Sequence, residues 1–98
     1  ADELIEKRLP FSMPAEQSLL GAVLIDPASL NEIAALMKGE DFYLEEHKQI
    51  YLAMQELFLT NREIDVVTLI DMLVTRGVYD KAGGEDYIRT LSEAVPER

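Results

Sequence analysis

Between Glu16 and Asp26 the chain carries no charge, and the run Gln17-Ser18-Leu19-Leu20-Gly21-Ala22-Val23-Leu24-Ile25 leaves it few ways to fold. Leu19, Leu20, Val23 and Leu24 are spaced by one, three and four residues, which wraps apolar surface around more than half of a helix. A helix of that kind must be buried, so it is expected in the middle of the fold. Gly21 in its interior costs about 1 kcal/mol relative to alanine. A second helix crossing at that point, backbone close to backbone, would offset the cost.

The punctuation on either side divides the rest of the chain. Residues 1–13 read as a lead-in of mixed charge, with Leu9 and Phe11 expected to tuck onto the core around Pro10. Ser12 or Met13 is expected to cap the first helix, which holds Pro14 in its first turn and runs to about Leu24. Asp26-Pro27 marks the next helix start, with Leu30, Ile33, Ala34 and Met37 on one stripe and Gly39 as the stop. The longest helix is predicted from about Leu44 to Leu59, its apolar stripe made by His47, Ile50, Tyr51, Met54, Leu57 and Phe58, with Asn61 closing it in the left-handed conformation. Asp65 then caps a helix from Val66 to Arg76 with Gly77 just beyond, and a last helix from about Glu85 to Ala94 uses Tyr87, Ile88, Leu91 and Val95. The pattern predicts an all-α fold, a small orthogonal bundle of about five to six short helices in a single domain spanning 14–95.

At 98 residues and 48% hydrophobic content the chain can bury one modest core without staples. It has no cysteine, which excludes disulfides, thiolate metal sites and a cysteine nucleophile. Nineteen acidic residues face nine basic ones, a net charge of -10 that repels a phosphate backbone unless the cations gather on one face. Only Lys7 and Arg8 are adjacent, so direct nucleic-acid binding is not expected. No apolar run approaches the roughly 18 to 20 residues of a membrane span, and the amino terminus is acidic where a signal peptide would be basic. A soluble, cytoplasmic protein is expected. The missing initiator methionine and the ending Val95-Pro96-Glu97-Arg98 suggest a piece cut from something larger.

His47 is the only histidine; on an apolar stripe it reads as a core-edge residue hydrogen-bonded by a neighbour, because a ligand or general base would need a second histidine or a nucleophile at helical spacing. The pairs Glu40-Asp41, Glu45-Glu46 and Glu85-Asp86 each fall in the first turn of a predicted helix, where the dipole favours negative charge. Gly83-Gly84 reads as a helix-initiating turn rather than a phosphate loop, since no Gly-Lys pair occurs anywhere in the chain. No catalytic, cofactor-binding or metal-ligating residue is assigned, and the chain is not expected to be an enzyme by itself. Its surfaces are left as its function. Phe11, Tyr43, Phe58 and Tyr79 lie near predicted helix ends and are the candidate partner contacts, each also readable as core packing.

Laid out in order, these elements resemble the N-terminal domain of the bacterial replicative hexameric DNA helicase, the DnaB family. The resemblance is carried by Leu9-Pro10 before Ala15-Glu16-Gln17-Ser18-Leu19-Leu20-Gly21, then Asp41-Phe42-Tyr43 with His47, Ile50 and Tyr51. Ile64-Asp65 with Thr68, Leu69 and Leu73 follow, and Gly83-Gly84, Tyr87, Leu91 and Val95-Pro96 complete it. Pro14 departs from the pattern, standing where members more often have a charged helix former. The resemblance implies a collar domain that packs with itself, as dimers and a trimer of dimers within a hexamer, and that receives the C-terminal domain of primase. It also implies a parent protein that unwinds DNA with ATP and Mg in an ATPase domain not contained in this chain, working at the bacterial replication fork. Two rivals stay open: a stand-alone helical adaptor, and the helicase-binding domain of a primase.

Overall fold

The computed structural model describes residues 13–93. Among them it has five α-helices and no strand: α1 (Met13–Ile25), α2 (Leu30–Leu36), α3 (Glu45–Leu59), α4 (Val66–Thr75) and α5 (Gly84–Ser92). Two 3₁₀ turns, Pro27–Ser29 and Gly39–Asp41, flank α2. The expected all-helical single domain is what forms.

The centre of the fold is α3, not α1. His47, Ile50, Tyr51, Ala53, Met54 and Leu57 are all buried along it, whereas α1 buries only Leu20, Gly21 and Val23 and leaves Met13 and Ile25 exposed at its ends. The reason is geometric. A helix apolar almost all round can be satisfied by contact on several sides, and α1 packs against α5, α3 and the first 3₁₀ turn, while α3 meets α1, α2, α4 and the second 3₁₀ turn. Buried Gly21 is compatible with a close helix approach.

Local signals set most helix ends. Asn61 has φ 63°, and its N–H and that of Arg62 donate to the carbonyls of Phe58 and Leu57, which satisfies the end of α3. Gly77, with φ 74°, closes α4 in the same way through bonds to Val74 and, from Val78, to Leu73. At the start of α4 the Asp65 carboxylate accepts from the Thr68 N–H at 2.9 Å and the Thr68 hydroxyl accepts from the Asp65 N–H at 2.9 Å.

Around α2 the outcome differs from expectation. Asp26 makes no side-chain cap; Pro27 opens a 3₁₀ turn in which the Ser29 hydroxyl donates to the Asp26 carbonyl at 2.7 Å, and α2 starts only at Leu30. Ala34 is exposed rather than part of the buried stripe. Gly39 does not stop the helix, because the chain is already extended at Met37; it starts the second turn, where a Cβ would lie 2.8 Å from a Leu52 methyl. Phe11, Val95 and the ends of the lead-in and of the last predicted helix lie outside the described residues.

Candidate functional site

Among the described residues the buried polar side chain is the sole histidine, and a hydrogen-bonded cluster is built on it. The first turn of α3 places His47 fully inside, 0% exposed, and Nδ1 lies 2.7 Å from Oε1 of Glu16 on α1. Oε2 of the same carboxylate accepts the Tyr43 N–H at 2.8 Å. On the other side of the ring, Nε2 lies 2.5 Å from the hydroxyl of Tyr87 on α5, which also accepts from the Gln17 amide at 3.1 Å. An ionised carboxylate only accepts, so Nδ1 carries a proton, and in the neutral ring Nε2 accepts from the Tyr87 hydroxyl.

The aromatic rings complete the enclosure. Tyr87 stacks on His47 with centroids 5.8 Å apart, and Phe42 meets it edge-on at 6.4 Å. Burial raises the Tyr87 phenol above its ordinary value, with the carboxylates of Glu46 and Glu16 adding to the rise against the Gln17 hydrogen bond. Tyr87 therefore stays a neutral donor. Acid, imidazole and hydroxyl stand in line with the ring closed to solvent, and the arrangement ties α1, α3 and α5 together. The sequence pointed to a histidine bonded by a neighbour, yet its partners come from 31 and 40 residues away. A single carboxylate opening an otherwise uncharged helix was the available signal.

The candidate partner contacts are spread over the surface. Tyr43 is 68% exposed. Phe58 is partly buried against the core and lines a cleft of about 600 Å³ between the Pro27–Ser29 turn and the α3–α4 connection. Tyr79 also packs on the core, and its hydroxyl accepts the Glu85 N–H at 2.9 Å, so it caps α5. Outside these, Val67 and Val74 stand exposed on the outer side of α4, and Leu36 does so at the end of α2. Among the described residues no group of three or more histidine, aspartate or glutamate side chains could hold a metal ion, and no helix is long and apolar enough to cross a membrane.

The model of the DnaB-like helicase N terminal domain matches residues 8–98. The chain belongs to this family. The replicative DNA helicase DnaB of Geobacillus stearothermophilus is 37% identical over 95 residues, covering 96% of this chain and 21% of the relative. That of Leifsonia xyli subsp. xyli is 34% identical over 95 residues, covering 97% of this chain and 21% of the relative. The crystal structure of the N-terminal domain of DnaB helicase from Mycobacterium tuberculosis superposes with a TM-score of 0.85 at 32% identity, over 89% of this chain and 60% of that one. The chain thus spans about a fifth of the length of the curated relatives it matches. These matches fall on helicases, which separates the DnaB reading from its two rivals.

Proposed function

We propose that this chain serves as the N-terminal collar domain of a bacterial replicative DNA helicase, working through its surfaces. It packs with copies of itself, as dimers and a trimer of dimers in a hexamer, and it receives the C-terminal domain of primase. The observation that carries this reading is the likeness to the mycobacterial DnaB N-terminal domain, at a TM-score of 0.85 and 32% identity. The parent protein unwinds DNA in the cytoplasm with ATP and Mg bound to a separate ATPase domain, and this chain contributes no catalysis. In this reading residues 1–13 are a lead-in and residues 14–95 are the helical domain.

Charge supports the role. A domain at -10 lets DNA pass without gripping its phosphates and offers acidic surface to basic partners. Holding primase beside newly exposed single strand raises its effective concentration there. Phe11, Tyr43, Phe58 and Tyr79 are the proposed contacts, and Tyr43 leads them because its ring is the most exposed of the three described. The test is titration of the 98-residue chain with primase C-terminal domain from a bacterium carrying a close relative, with light scattering to follow self-association. Tyr43→Ala should weaken one of the two associations by about tenfold, the scale of an aromatic anchor. A chain that stays monomeric and does not bind that domain would overturn the collar reading.

A further inference from the structure

The cleft between the Pro27–Ser29 turn and the α3–α4 connection has an apolar floor and a charged rim, two carboxylates against one guanidinium. Pro27, Ala28, Phe58 and Ile64 supply the apolar lining, with Ile64 only 5% exposed, while Arg62 and Glu63 stand exposed at its edge. Its walls are firm. Pro27 restricts one side, and the other runs from Asn61, locked in the left-handed conformation, to Asp65, which is tied to Thr68. A volume of about 600 Å³ is large enough for a side chain or two with their backbone.

Charge selects the occupant. Glu63 and Asp65 line the cleft, Asp26 directly precedes Pro27, and Asp71 lies 3.5 Å from Arg62. Arg62 is the one cation among the described residues that lines it, and it already faces Asp71. The local balance is therefore negative within a chain of -10. A nucleic acid would bring phosphates and meet like charge there.

We propose that this cleft docks a short cationic segment of a partner protein, seating one aliphatic side chain on Phe58 and Ile64 while a lysine or arginine reaches Glu63. The aliphatic group supplies affinity by leaving water, and the cation supplies orientation and faster encounter. Tyr43 does not line this cleft, whereas Phe58 is shared with the contacts proposed above, and a peptide bound here is read independently of self-association or primase binding.

Two peptides test it on the 98-residue chain by amide chemical shifts: acetyl-Lys-Leu-Lys-Leu-Lys-amide and its alanine counterpart acetyl-Lys-Ala-Lys-Ala-Lys-amide. The leucine peptide should move the resonances of Ala28, Phe58, Glu63 and Ile64, and the alanine peptide should bind about tenfold more weakly for want of a buried aliphatic group. Glu63→Gln, at an exposed position that leaves folding intact, should weaken both peptides, and Ala28→Arg should block the leucine peptide. Equal binding of the two peptides, shifts centred on the acidic helix starts at Glu45 and Glu85, or no shift at millimolar peptide would each overturn the proposal.

Discussion

The junction of α1, α3 and α5 and the corner between α3 and α4 are held by different kinds of interaction. At the junction, Glu16, His47 and Tyr87 meet from three separate helices, with distances of 2.7 and 2.5 Å and a ring fully withdrawn from water. At the corner, Asn61, Asp65 and Thr68 bond only to residues within a few positions of themselves. Removing a member of the first set strands partners that are buried or half-buried, while removing a member of the second frees groups that water can reach. Geometry between helices is therefore enforced at one place, and helix boundaries at the other. The corner can consequently leave apolar side chains such as Val67, 73% exposed, on its outer surface.

The sharpest way to break this contrast is His47→Ala. It opens a cavity and takes one hydrogen-bond partner each from the Glu16 carboxylate and the Tyr87 hydroxyl, and a loss of about 3 kcal/mol is expected in urea unfolding. A loss below that of a simple cap would mean that the junction is no more cooperative than the corner. Gly21→Leu, in the buried part of α1, should cost about 2 kcal/mol through overpacking, read as a lower Tm. An unchanged Tm would remove the case for a close approach at that residue.

Asp65→Ala provides the corner's counterpart. Loss of the cap on α4 should cost about 1 kcal/mol by the same unfolding assay, and it should leave the shifts of His47 and Tyr87 in place. The smallest effect is at alkaline pH. Burial raises Tyr87 above the ordinary phenol value of 10.0, and burial with the nearby Asp41 does the same to Tyr51. A group whose folded value is raised contributes in full below pH 10 and loses that contribution as the pH rises through its folded value. Stability should thus fall above pH 10, and Tyr87→Phe should flatten that fall in a pH series of unfolding curves.

How much of this was legible beforehand varied with the range of the interaction. The α3 stripe from His47 to Leu57, Asn61 and Gly77 at positive φ, and Asp65 as a cap all follow from neighbours in sequence, and the structure has them where the pattern places them. Asp26-Pro27 suits an α-helix and a 3₁₀ turn equally, so the pattern places the start of α2 too early. Alanine carries too little apolar surface to say which way a stripe faces, so the pattern puts Ala34 in the core where the structure exposes it. For the contacts at Tyr43, Phe58 and Tyr79, helix ends could be located, but the side of the molecule they meet could not.

Sequence alone determined the helices, most of their ends, the family and the acidic surface, because periodicity, capping and charge are properties of residues a few positions apart. Only the tertiary structure decided that α3 rather than α1 is the centre, that Glu16 and Tyr87 are the partners of His47, and that Phe58 and Ile64 face an acidic cleft. Each of those outcomes depends on which helix faces which, and that is set by packing between segments tens of residues apart.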